Sequence, residues 1–128
     1  MIDAEYAFTR ARRGSRLRRL RTNELPVYGG PIAGAGRGGG LREIPLEAIS
    51  GTLEPSRARQ FDRAFRPRRA SARRRWESIW IAEERGVPLP PISVVPVRGG
   101  YALRDGHHRV SVARARGQAT ISAVVAPT

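Results

Sequence analysis

The stretch that most restricts how this chain can fold runs from Tyr101 to Gly117. Tyr101-Ala102-Leu103-Arg104 has the composition of a short strand, Asp105-Gly106 forms a tight turn, and His107 follows at the start of a helix. Gly117 is a natural stop, because glycine enters the left-handed conformation at little cost. Val110, Ala113 and Gly117 recur at helical spacing and give the helix one face to lay on a sheet. Its N-terminus then points outward beside Arg109, with free N–H groups and the positive end of the helix dipole, as an anion site requires. The plainer reading is a strand-to-helix turn with two solvated histidines. Residue chemistry alone leaves both open.

The same signals place the other elements. A strand is predicted over 42–46. Ser56 can cap a helix over 56–65, ended by Arg66-Pro67, with Ala58, Phe61 and Phe65 turned inward. Ser71 can cap the next helix, which runs to Arg85 and stops at Gly86. Trp76, Ile79, Trp80 and Glu83 share one of its faces, a spacing that favours core over a base-stacking platform. Arg73-Arg74-Arg75 reads as a solvated cluster. Pro88, Pro90 and Pro91 stiffen the entry to a strand over 92–97, where Pro96 demands an edge or a bulge. Gly99-Gly100 turns into the strand over 101–104, and 120–125 closes the sheet. The class is α/β (α+β): a small mixed sheet flanked by helices.

Charge dominates the N-terminal end. The net charge is +13 and all 24 basic residues are arginine, a balance that attracts polyanions. Residues 1–25 are predicted as one helix with a thin stripe of Ala4, Phe8, Ala11, Leu17 and Leu20. Its second half carries Arg10, Arg12, Arg13, Arg16, Arg18, Arg19 and Arg21, which repel one another. Such a helix is solvated, docks on nucleic acid, or lies on a membrane surface, where its stripe is poor in large residues. Arg12, Arg13, Arg16 and Arg19 are the candidate nucleic-acid contacts, without sequence preference. Residues 1–28 thus form a basic helical extension that adds little core, and a chain lacking 1–30 is expected to stay folded.

Residues 29–40 read as a glycine-rich linker. Gly34, Gly36 and Gly39 spell Gly-x-Gly-x-x-Gly, but the flanking strand and helix of a dinucleotide loop are missing. The folded domain spans 41–128. The chain has no cysteine, which excludes disulfides and thiolate metal sites and fits a reducing cytosol. No apolar run approaches the ~20 residues of a membrane span. A cytoplasmic protein, nucleoid-associated if it binds DNA, with no membrane partner is expected.

At the turn, adjacent histidines diverge by roughly 100° on a helix, so His107 and His108 cannot jointly grip one metal, and no metal site is expected. They suit hydrogen bonds to phosphate oxygens, with Arg109 adding permanent charge and a planar fork. Titration near neutrality would strengthen phosphate binding as pH falls from about 8 to 6. Asp105 caps the helix by default; with a nucleotide bound it would meet Mg²⁺ or take a substrate proton.

Asp105-Gly106-His107-His108-Arg109, with Ala113-Arg114-Ala115-Arg116-Gly117 behind it, resembles the ParB/sulfiredoxin superfamily. Ile44-Pro45-Leu46-Glu47-Ala48-Ile49 resembles its opening strand, Phe61-Asp62 its Phe-Asp helix start, and Leu89-Pro90-Pro91-Ile92-Ser93-Val94 a later strand entry. The resemblance covers about residues 41–126. Sulfiredoxins carry a catalytic cysteine where His107 stands, so reduction of sulfinylated cysteine is not expected. ParB proteins have Gly-Glu-Arg-Arg on CTP phosphates. Gly106 and Arg109 match that pattern, while His107 and His108 depart from it. The ParB arginine ahead of Phe-Asp has two candidates, Arg57 and Arg59. Free-serine kinases show similar Asp-Gly-x-His-Arg turns. After Gly117 eleven residues remain, too few for the helix-turn-helix with which ParB reads its site.

The resemblance therefore implies a ParB-like domain without that module, which binds a nucleoside di- or triphosphate of unspecified base, with or without Mg²⁺. Non-specific association with DNA and a homodimer are compatible with it. The rival is a small-molecule kinase with Asp105 or Glu54 as base. A third reading is a structural or partner-binding module with a vestigial pocket.

Overall fold

The computed structural model describes residues 3–17, 24–30 and 39–126, with 16 and 17 placed by backbone alone. Its elements are α1 (Ala4–Leu17), β1 (Gly40–Pro45), a 3₁₀ turn (Leu46–Ala48), β2 (Ile49–Thr52), α2 (Pro55–Ala58), a second 3₁₀ turn (Ala70–Ala72), α3 (Arg73–Glu84), β3 (Ile92–Val97), β4 (Gly100–Asp105), α4 (His107–Ala115) and β5 (Thr120–Val125). They form a mixed α/β domain whose five strands lie in the order β1-β5-β3-β4-β2. β1 runs antiparallel to β5 and β3 antiparallel to β4, while β3 and β5, and β2 and β4, are parallel.

This order forces curvature. β1 and β2 occupy opposite edges, yet only Leu46–Ala48 separates them. A flat five-stranded sheet would hold its edges ~19 Å apart, whereas four residue steps reach at most ~14 Å. The sheet therefore curls toward a half-barrel. Leu46 N bonds to Ala119 O on one side of the crossing, and a side chain at Gly100 would collide with Ala48 O on the other. Pro96 is accommodated because β5 pairs only with Ile92, Ser93 and Val94, which leaves the far half of β3 open on one side.

Three local expectations are corrected. The helix predicted over 56–65 is only Pro55–Ala58, since the Asp62 carboxylate accepts bonds from the N–H groups of Ala64 and Arg66 and folds this segment into a turn. Phe65 adopts φ 60° within it, yet Ala58, Phe61 and Phe65 are all buried as expected. Ser71 does not cap α3; it lies in the 3₁₀ turn, and Ala72 precedes the helix. The N-terminal helix is described over Ala4–Leu17; residues 18–23 lie outside the described residues, and Glu24 and Leu25 are not helical. Leu25, disfavoured in a helix by Pro26, is buried in the main core, and Val27 bridges to Thr52 along β2.

The N-terminal extension also contributes core, against expectation. Phe8 is fully buried and meets Trp76 edge-on at 5.6 Å, and Trp76 stacks on Trp80 at 5.5 Å. With Ala4, Ala7, Ala72 and Val112 these rings form an aromatic layer separate from the main core. The tryptophans are therefore packing residues and no platform for bases. A chain without 1–30 would expose this layer, so the expected tolerance of that deletion is withdrawn. The linker segment 31–38 lies outside the described residues. No helix among the described residues is long and apolar enough to cross a membrane.

Candidate functional site

Gly106 sits at the N-cap of α4 with φ 110°, where a Cβ would stand 2.5 Å from Ile92 Cγ2. Both the left-handed backbone and the contact require glycine. No side chain caps α4, so Asp105 does not play the capping role. Its carboxylate is 71% exposed and pairs instead with Arg109 Nη2 at 3.0 Å. The first-turn amides of α4, which helix geometry leaves without internal acceptors, thus have no side-chain cap among the described residues.

The two histidines are enclosed, not solvated. His107 Nε2 lies 2.7 Å from Thr52 Oγ1. That hydroxyl also accepts from Glu54 N at 2.9 Å and reaches Leu103 O at 3.2 Å. A hydroxyl has one proton to give, so all three contacts are satisfied when Thr52 donates to Leu103 O and His107 Nε2–H donates to Thr52. His107 stacks on Phe61 at 6.3 Å, and His108 meets the same ring edge-on at 5.2 Å. Burial, then the Arg57 charge, lowers both imidazoles from their ordinary value to about 4, with Arg75 adding to the effect on His108. Both are neutral between pH 6 and 8. The expected titration near neutrality is therefore overturned.

Arg109 points away from this pair. Nη1 donates to Pro91 O at 2.9 Å and to Pro90 O, tying α4 to the proline turn, while Nη2 stands beside Gly106 and Asp105. Of the two arginine candidates, Arg57 is the one whose charge reaches both histidines, and it is held by Gln60 Oε1 at 3.0 Å. Arg59 is exposed, and its carbonyl accepts from Arg68. Glu54 is exposed at the start of α2 and joins the site only through its backbone bond to Thr52. Thr52, Phe61 and Arg75 are the neighbours that sequence reasoning did not assign to the site. A hydroxyl, a ring and a charge in distant segments carry no local signal.

On α1, Arg13 is exposed and Arg12 half-buried, with its Nε lacking a partner. The side chain of Arg16 and all of Arg19 lie outside the described residues. Among the described residues no cluster of three or more His, Cys, Asp or Glu is placed to hold a metal.

No protein-family profile matches this chain, and no curated protein matches it. Among solved structures it is similar to sulfiredoxin from Arabidopsis thaliana, at 24% identity and a TM-score of 0.47, over 69% of this chain and 85% of that one. The mixed sheet and its helical layers stand on the strand order and packing described above.

Proposed function

We propose that this protein is a ParB-like nucleotide-binding module that takes a phosphate group at the start of α4. One observation carries the reading: an uncapped helix N-terminus at a left-handed glycine, with Arg57 on the histidine side and Arg109 on the other. Backbone N–H groups and the helix dipole favour an anion there. Asp105 already offers Arg109 a carboxylate from an exposed position, where solvent screening leaves it weak enough for a phosphate to displace. His107 is fixed by Thr52, so it contributes shape and neutral polarity rather than charge. Nucleic-acid association through the arginine-rich surface and a cytoplasmic setting belong to the same proposal.

The test is calorimetry on the full chain with ATP, ADP, GTP and CTP, with and without Mg²⁺. Saturable binding is expected, with Arg57→Ala and Arg109→Ala each weakening it by ~1.5–3 kcal/mol, the range for a charge-assisted contact. Affinity should not rise as pH falls from about 8 to 6, because both histidines stay neutral there. A second reading has its own observation. Gly106, His107 and His108 are all buried, and the Arg109 fork is occupied by backbone carbonyls. A chain that binds none of these nucleotides is the structural module that this enclosure describes.

A further inference from the structure

A second concentration of positive charge around a cavity lies at the other end of α4. A cavity of about 380 Å³ opens between α1, α4 and the turn after Asp62, and Arg10, Arg66 and Arg114 all line it. No carboxylate is among its described lining residues. Small residues hollow it: Ala7, Ala11 and Gly14 lie on one stripe of α1 at helical spacing. Gly14 is informative, since glycine inside a helix costs about 1 kcal/mol relative to alanine. A Cβ there would come within 3.1 Å of Arg66 Cδ, so Arg66 lies close against α1 at this position.

Two of the three guanidinium groups are held, and the third is without a partner among the described residues. Arg66 donates to Gly14 O at 3.1 Å and stays 3.8 Å from Asp62 Oδ2, which itself has no hydrogen-bond partner. Arg114 reaches Leu46 O at 3.4 Å. Arg10 has no hydrogen bond or ion pair among the described residues. Trp80 and Phe65 complete an apolar wall, and Ser111 adds a hydroxyl that is fixed by Trp76 Nε1 at 2.8 Å. Cationic forks around a partly apolar hollow match a planar or compact oxyanion.

From these observations we infer a second anion site, independent of the start of α4, that binds a small phosphate- or carboxylate-bearing ligand and clamps α1 onto the domain. Because α1 supplies Arg10 and Gly14, occupancy couples ligand binding to docking of the N-terminal helix. The volume admits pyrophosphate, citrate or a nucleoside monophosphate.

The experiment titrates the full chain with pyrophosphate, citrate and AMP in ~50 mM salt, by calorimetry and by thermal melting. Salt is kept low because screening weakens such contacts. At least one of these anions should bind saturably and raise the melting temperature. Arg10→Gln, which disturbs an exposed side chain, and Arg114→Gln should each weaken that binding roughly tenfold or more. Arg57→Ala, at the first site, should leave unchanged the component of binding that Arg10→Gln and Arg114→Gln weaken, so the two proposals fail separately. The inference is overturned if none of the three anions binds at ~10 mM. It is equally overturned if binding survives both glutamine variants, or if only duplex DNA responds to them.

Discussion

α4 lies between two apolar layers of different make. On the sheet side, Val110 and Ala113 join a core dominated by aliphatic residues such as Ile44, Ile92, Val94, Leu103 and Val125, with Phe61 and Phe65. On the other side, Val112 meets Phe8, Trp76, Trp80 and several alanines. Apart from Leu25, the described members of the first layer lie from Ile44 onward, whereas the second is incomplete without α1. A segment whose composition reads as solvated is thus committed to the fold by one phenylalanine and two alanines. An arginine of α3 seals the contact. Arg73 lies over the Phe8 ring at 4.7 Å while bonded to Glu77 at 2.9 Å, so positive charge is packed onto the aromatic layer.

The sharpest way to break this comparison is to empty the aromatic layer. Trp76→Ala should cost ~3–5 kcal/mol, and Phe8→Ala a similar amount, as full burial of both rings implies. Denaturant melts measure this. A loss below ~1 kcal/mol for Phe8→Ala would mean that α1 is an accessory after all. Trp76→Ala also removes the indole N–H that Ser111 accepts, so Trp76→Phe should recover part of the loss but not all of it.

Acid tests the opposite layer. His107 and His108 are held near 4 in the folded state against 6.5 ordinarily, so the unfolded chain takes up protons that the native one refuses. Stability from this source is complete above about pH 6.5 and drains as pH falls toward 4, by roughly 3 kcal/mol for each histidine. Melting temperatures from pH 7.5 to 4 follow it. His107→Gln with His108→Gln should flatten the slope, while Phe8→Ala lowers the whole curve without changing it.

The smallest expected effect isolates one hydroxyl. Thr52→Val keeps the shape of the side chain but leaves Glu54 N and His107 Nε2 without their partner, at a cost of ~1–2 kcal/mol. An unchanged stability would mean that water replaces the hydroxyl, and that the imidazole is less enclosed than its burial implies.

How much of this was legible in the chain depends on the range of the forces. The strand-turn-helix from Tyr101 to Gly117 was readable because its signals are local: a left-handed glycine at each end of α4 and helical spacing between them. The α3 face of Trp76, Ile79 and Trp80 was readable for the same reason. The segment after Ala58 was not, because one Asp62 carboxylate outweighs the helical pattern, and nothing in the spacing announces that bond. Nor was the split of the candidate site. A helix fixes that His107, His108 and Arg109 point in different directions, but not which neighbour each one meets.

The sequence by itself determined the class of fold, the positions of the glycines that turn it, and the chemical types gathered at the start of α4. Only the tertiary structure decided that the histidines are neutral and enclosed, that Arg109 is shared with Pro90, Pro91 and Asp105, and that α1 is part of the core. Backbone preference acts over a few residues and is written in them. Burial and charge arise from segments that meet in space, such as Thr52 with His107 or Phe8 with Trp76, and have no value until those segments pack.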